Sequence, residues 1–185
     1  MEHTDIELII AYRGGDTQAL DTLILRYVTL VYNFVFRLVH HSAEAQDITQ
    51  EVFVKMWKKL SQYNMQYNFK AWLFTIARNT TIDHMRKQKT FSFSDFDKED
   101  TSDFEDSLVD TSPRPDEILF QKDQAEQIAI AMEKLSVQHK TVLVLKHESE
   151  LTFEEIATVL RIPMNTAKGQ YYRALQALKK NLSLS

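Results

Sequence analysis

Only 3 Gly and 3 Pro interrupt a chain of 185 residues. So few breakers leave little material for the tight turns of a many-stranded β fold, and they favour long helices. Apolar residues make up 44% of the chain, enough for a packed core and too many for general disorder. The chain has no cysteine, which excludes disulfides, thiolate nucleophiles and Cys-ligated metal sites and suits a reducing compartment. The opening stretch MEHTDIELII is acidic, unlike a secretory signal. No apolar run approaches the roughly 18 residues of a membrane span. A cytoplasmic protein without membrane insertion is therefore expected.

Apolar spacing places the helices. Leu20, Leu23, Ile24, Tyr27, Val31, Phe34, Val35 and Leu38 recur at three and four, after Gly14, Gly15 and a candidate N-cap, Asp16. Ile48, Val52, Phe53, Met56, Trp57 and Leu60 predict a second helix. Phe69, Trp72, Leu73, Ile76, Ala77 and Thr80 predict a third, running towards Lys89. Further helices are expected over Ile118 to Leu135 and Val137 to Lys146. No strand-like alternation competes and no internal repeat occurs.

Charge divides the chain. Residues 90–116 hold nine acids against Lys98 and Arg114, a charge of −7 within a formal total of −4, so the remainder carries +3. This stretch also holds Pro113 and Pro115 and lacks helical periodicity. The expected fold class is all-α: two small helical domains, 1–89 and 117–185, joined by an acidic flexible linker at 90–116, with a helix-turn-helix in the C-terminal one. At a Debye length of about 8 Å, the field met by a ligand is set by local patches. Two patches are basic: residues 69–89, with Lys70, Arg78, Arg86, Lys87 and Lys89 against Asp83, and residues 161–180, with five bases and no acid.

The second patch lies in a recognisable pattern. Thr152-Phe153-Glu154-Glu155 spells a capping box. Phe153, Ile156, Ala157 and Leu160 form a short apolar stripe, and Arg161-Ile162-Pro163 ends it. A new helix is expected near Met164. Its apolar residues Ala167, Tyr171, Ala174, Leu175, Leu178 and Leu182 fall within a sector of about 100°. The opposite face carries Asn165, Lys168, Gly169, Tyr172, Arg173 and Gln176. A short helix, a tight turn and a basic second helix suit the DNA major groove, where Lys168 and Arg173 would hold guanine edges or phosphates. An ordinary helical hairpin with a solvated basic face is the competing explanation.

The first patch reads differently. Tyr63, Tyr67 and Phe69 sit in or beside a loop rich in Asn and Gln. Aromatics beside amides and cations suit unstacked single-stranded bases, each stack contributing about 1–3 kcal/mol. Arg78, Arg86 and Lys87 would hold phosphates along the following helix, and Asn79 lies beside them. Phe69, Trp72 and Ile76 have core spacing instead. Chemistry of other kinds finds no support: the six histidines form no H-E-x-x-H pattern, and no phosphate loop or nucleophile elbow occurs. No catalytic residue, metal ligand or cofactor is assigned.

Three segments in order resemble the extracytoplasmic-function group of bacterial sigma-70 factors: DITQEVFVKMW at 47–57, FKAWLFTIARNTTIDHMRKQK at 69–89, and residues 135–182. The resemblance implies a promoter-specificity subunit of RNA polymerase. It assigns Asp47, Gln50, Glu51 and Phe53 to the contact with polymerase. It assigns the loop from Tyr63 to Asn68, with Asn64, Tyr67 and Asn68 in it, to capture of a flipped base in the −10 element. Asn79 lies near that pocket, with Arg78 and Arg86 on the DNA side. Thr166, Lys168, Gly169, Tyr172 and Arg173 match the positions that read the −35 element, and Asn165 shares their face and is counted with them. Core RNA polymerase, promoter DNA and an anti-sigma protein are the implied partners. Gln46 stands where an acid is usual, Arg161 where Gly is common, and Gly169 where a polar residue is. The alternative is a helix-turn-helix regulator that is not a polymerase subunit and binds a palindrome as a dimer.

Overall fold

A computed structural model describes residues 3–92 and 127–183, and every described element is a helix or a turn. The acids of the expected tether, and the start of the helix expected from Ile118, lie outside the described residues. Helix α1 (Asp5–Arg13) is followed by α2 (Thr17–Val39), α3 (Ser42–Leu60) and α4 (Phe69–Ser92). A helical stretch at 127–133, α5, precedes α6 (Val137–His147), α7 (Phe153–Leu160) and α8 (Met164–Leu182). The fourth helix thus runs past the boundary expected at residue 89.

Helix α1 was not visible as apolar periodicity. Its signal is a second capping box: the Thr4 hydroxyl accepts from the Glu7 amide, and the Glu7 carboxylate accepts from the Thr4 amide. Its two buried residues, Leu8 and Ile9, are too few to mark a stripe. The Asp16 cap forms as expected, accepting from the Gln18 N–H at 3.0 Å.

Helix α2 is the axis of the N-terminal half. Leu23, Tyr27, Val31, Phe34, Val35 and Leu38 are buried, and the helix packs on α1, α3 and α4. Phe34 meets Phe74 of α4 edge to face at 5.4 Å, the geometry that aromatic quadrupoles favour. Contrary to the hydropathy reading of the sequence, α2 is long and apolar enough to cross a membrane, with a mean hydropathy of 1.4. Exposed Leu25 on its outer side raises that average. The buried stripe belongs to the helical bundle.

The C-terminal half builds its own centre from Val142, Leu143, Val144, Leu145, Leu151, Ile156, Val159, Ala167 and Ala174. The two halves touch. Helix α4 packs on α7 and α2 on α6, and the buried apolar residues of both halves form one continuous cluster. Arg37 donates to the Glu148 carboxylate at 2.9 Å, and Lys140 Nζ lies 2.9 Å from His40 Nε2. An ammonium only donates, so the imidazole nitrogen accepts and the ring is neutral.

Removing the Phe34 ring should cost about 3–5 kcal/mol, so Phe34→Ala should unfold at a clearly lower urea midpoint; an unchanged midpoint would contradict the assigned core. The seam also titrates. Burial, then the Lys140 ammonium, lowers the pKa of His40 against opposition from Glu133, and burial likewise lowers that of Lys140. The unfolded chain then binds the imidazole proton more readily, so stability falls as pH drops through about 6.5, the ordinary imidazole value. His40→Gln retains an acceptor for Lys140 and should flatten part of that slope, read by urea unfolding at about pH 5.5 and about pH 7.5.

Candidate nucleic-acid interface

Helix α8 presents the face that its sequence pattern predicts. Ala167 and Ala174 are buried, and Tyr171 packs edge to face on Phe153 at 5.3 Å while its hydroxyl meets His147 Nε2 at 3.0 Å. Asn165, Thr166, Tyr172 and Arg173 are exposed, and Lys168 and Gly169 are partly so. Tyr172 is 60% exposed. Arg173 Nε donates to the Gly169 carbonyl at 3.1 Å, which lays the guanidinium along the helix. A Cβ at Gly169 would meet only that guanidinium, at 3.8 Å. Internal packing therefore does not require this glycine, although Gly costs a helix about 1 kcal/mol against Ala. Its effect is to leave that position on the outer face without a side chain. The helix opens at Pro163 with no side-chain cap, so its first amides point outward with positive dipole character, suited to phosphate.

The turn before α8 is set by backbone hydrogen bonds. The Ile162 amide donates to Ala157 O at 3.1 Å and the Arg161 amide to Thr158 O at 3.2 Å, a Schellman pair. Arg161 sits at the left-handed position, φ 56° and ψ 46°, where Gly is usual. The Thr152–Glu155 capping box fixes the other end of α7. Lys146 and Lys168 lie 5.0 and 5.8 Å from the Phe153 ring centroid, so Phe153 joins α8 to α6 through its ring.

The loop before α4 differs from its reading as a row of stacking platforms. Tyr63 is 4% exposed, with its ring 5.6 Å from Phe69 and 4.8 Å from Trp72. Its hydroxyl donates to the Tyr67 carbonyl. Desolvation raises its pKa. Tyr63 is therefore a structural post, because α3 ends at Leu60 and turns its next aromatic inward. Arg13 holds this corner from α1, donating to Leu60 O at 2.8 Å and Tyr63 O at 2.7 Å. Asn64 accepts from the Gln66 amide and Asn68 from the Ala71 amide, both at 2.9 Å, so both amides shape the loop and Asn68 caps α4. Tyr67, 64% exposed, keeps its ring at the surface. Arg78 donates to Asn79 Oδ1 at 3.0 Å and both are half-buried, while the more exposed Arg86 pairs with Asp83 at 3.2 Å.

Along α3, Asp47 and Gln50 are exposed, but Phe53 is only 9% exposed and belongs to the core. At about 100° per residue Phe53 lies roughly 60° beyond Gln50 and roughly 120° from Asp47, at the buried edge of that face, whereas Val54 falls inside it and Trp57 within about 20° of it. Trp57 is 51% exposed and donates from Nε1 to the Tyr12 hydroxyl at 2.7 Å. Phe53, which the resemblance assigns to the polymerase contact, is thus buried, and Val54 and Trp57 are the exposed apolar residues beside Asp47 and Gln50. Glu51 is engaged within the fold, 2.7 Å from Lys55 and 2.6 Å from His84. Hydrogen bonds from Lys55, then His84, hold its carboxyl below the usual range. Among the described residues no group of His, Asp and Glu is placed to hold a metal ion.

Residues 23–91 match the family Sigma-70 region 2, and residues 125–178 match Sigma-70, region 4. The chain is 30% identical over 183 residues to the RNA polymerase sigma-H factor of Pseudomonas aeruginosa, covering 98% of this chain and 95% of that one. It is 30% identical over 172 residues to the ECF RNA polymerase sigma factor SigW of Bacillus subtilis, covering 92% of each. The fold is similar to that of sigma factor RpoE from Bartonella quintana, solved with the anti-sigma factor NepR: TM-score 0.70, 23% identity, covering 89% of this chain and 97% of that one. It is also similar to CnrH, solved with the cytosolic domain of CnrY, with TM-score 0.68, 21% identity and 96% of each chain covered.

The left-handed Arg161 yields a stability test. An L side chain there costs about 1–2 kcal/mol, partly offset in Gly by its freer unfolded chain. Arg161→Gly should therefore raise stability by about 0.5–1 kcal/mol, seen as a higher urea midpoint; a lower midpoint would mean that the Arg161 side chain contributes more than its backbone strain.

Proposed function

The chain belongs to the extracytoplasmic-function group of sigma-70 factors, and from that premise we propose how its residues share the work of starting transcription. As a sigma factor it directs core RNA polymerase to promoter DNA. The division proposed is an N-terminal domain over 1–89, a tether over 90–116 and a C-terminal domain over 117–185. Asp47, Gln50 and Glu51 serve the polymerase contact, with Phe53 holding α3 in place from inside and Val54 and Trp57 extending the face. Tyr67 stacks on a flipped −10 base, in a loop shaped by Tyr63, Asn64 and Asn68, while Arg78, Asn79 and Arg86 follow the strand. Asn165, Thr166, Lys168, Tyr172 and Arg173 contact the −35 duplex, with Gly169 giving close approach.

The observation that carries this reading is the face of α8. Its small residues Ala167 and Ala174 are buried, while its donors, cations and Tyr172 point outward, behind a turn of helix-turn-helix form. A flipped base costs a few kcal/mol, which stacking and phosphate contacts offset. Promoter opening is then driven by binding and needs no hydrolytic step by this chain, so it is proposed to act without enzymatic activity, in the cytoplasm beside the polymerase. An anti-sigma protein, of the kind bound to RpoE in its solved complex, is the proposed inhibitory partner.

Run-off transcription with core polymerase tests the function. Synthesis should start from a defined promoter only when this chain is present. Palindrome binding by a dimer without polymerase, and no run-off product, would favour the regulator instead. Lys168→Glu with Arg173→Glu should abolish −35 recognition, since each good base contact contributes about 1–3 kcal/mol of discrimination. Association with core polymerase should persist in that variant. Equal loss of both would point to damage to the fold.

A further inference from the structure

Among the described residues, arginine side chains are almost all engaged within the fold. Arg13 donates to the Tyr63 carbonyl, Arg26 pairs with Asp5, Arg37 with Glu148 and Arg86 with Asp83. Arg78 donates to Asn79 and Arg173 to the Gly169 carbonyl. Arg161 is the exception. It is exposed, and its guanidinium makes no hydrogen bond, ion pair or ring contact among the described residues. Acids stand nearby, since Glu154 and Glu155 line the same cleft as Arg161. The Glu155 carboxylate is held by the Thr152 amide at 2.7 Å, and neither acid closes on the guanidinium.

The backbone makes this arginine unfavourable for the fold. Arg161 stands at φ 56° and ψ 46°, a conformation in which a β-carbon crowds the following carbonyl. The turn uses the Arg161 and Ile162 amides, and a glycine at 161 would supply its amide equally, without that strain. Neither the turn nor internal contacts account for an arginine here. Strain of this kind clusters where a site uses the residue. Position indicates the ligand. Pro163, two residues on, opens α8, so Arg161 lies at the end of α8 where Asn165 and Thr166 are exposed. A helix that enters the major groove by its first turns brings the chain just before it to the rim of the groove, where the phosphates are. Residues 161–180 contain no acid that would repel a polyanion.

We propose that Arg161 is a clamp on the DNA backbone at the edge of the −35 element. Its guanidinium takes a phosphodiester beside the bases met by Asn165 and Thr166, and the left-handed arginine is kept for that contact although it lowers stability. This rests on the −35 assignment of α8 made above. A planar, permanently charged guanidinium meets two phosphate oxygens at once. The phosphate is common to every sequence, so the clamp sets affinity and register and leaves the choice of bases to α8.

The test uses the full chain bound to core polymerase and a fluorescent duplex from a promoter found by run-off transcription. The duplex carries the −35 element and its flanks but no −10 element. Arg161→Gly should weaken binding about five- to tenfold near about 0.1 M salt. The slope of log affinity against log salt should shrink by about 0.9, the share of one phosphate. The urea midpoint of the free chain should rise in the same variant, so damage to the fold cannot account for the loss. Arg161→Lys keeps the charge and should keep most of the slope. Arg161→Asn suits the left-handed turn without charge and should lose it. The ratio of affinities for correct and altered −35 sequences should stay the same in all three. A methylphosphonate moved along the flank should reveal one linkage that weakens the wild-type complex and leaves that of Arg161→Gly unaffected. In Arg161→Gly, unchanged affinity, a loss without change of slope, a lower urea midpoint or an altered preference among −35 sequences would each overturn the clamp, as would the lack of any such linkage. Lys168→Glu with Arg173→Glu separates the two claims. Normal −35 binding by that double variant sinks the −35 assignment itself. Loss of binding there, with wild-type affinity and slope in Arg161→Gly, sinks the clamp alone.

Discussion

The helices of the N-terminal half are held in place by the burial of one stripe on α2. Leu23, Val31, Phe34 and Val35 are fully enclosed, and the partners that enclose them are α1, α3 and α4. Helix α3 carries the Asp47–Trp57 face and α4 carries the arginine row. The angle between those two surfaces is therefore fixed by the same apolar contacts, Phe34 against Phe74 among them. The end of α2 reaches across to α6 through Arg37 and His40, so the helix also sets where the C-terminal half rests. A protein interior packs like a solid, and so a change at this stripe would displace all three surfaces together.

Aromatic residues divide into two roles by a small difference in position. Tyr63 and Tyr67 are four apart in the same loop, and residue type does not tell them apart. Arg13 ties the Tyr63 carbonyl to α1, and Phe69 and Trp72 close around its ring. Tyr67 receives the Tyr63 hydroxyl on its carbonyl and keeps its own ring outside. One tyrosine thus spends its apolar surface in positioning the other. The same division holds on α8, where Phe153 and Tyr171 pack together and Lys168 and Tyr172 stand on the face proposed to meet DNA.

Charge is segregated as carefully as apolar surface. The formal total is −4, yet the surfaces proposed to meet DNA are rich in bases and amides. Nine of the 26 acids lie in the stretch at 90–116, and others stand on α3 and on α7. Acid on α7 serves twice. Glu155 closes the capping box that starts the helix, and with Glu154 it lines the cleft opposite Tyr67. A capping residue need not be only a cap when the helix it begins sits on another surface.

Much of this was legible in the amino-acid order itself. Scarcity of Gly and Pro, the three-four spacing and the capping boxes are local properties, so they determine the helices α2, α3, α4, α7 and α8 and the turn at Arg161 without reference to the rest of the chain. The exposed face of α8 follows for the same reason, since one helix turn decides which residues lie opposite Ala167 and Ala174. Helix α1 went unread because its few buried residues leave no stripe. Tertiary structure alone decided that Tyr63 faces inward while Tyr67 stays exposed, and that α7 packs on α4 beside the loop of Tyr67. Those outcomes depend on which helix packs against which, and packing joins residues far apart in the chain through contacts that no local pattern encodes.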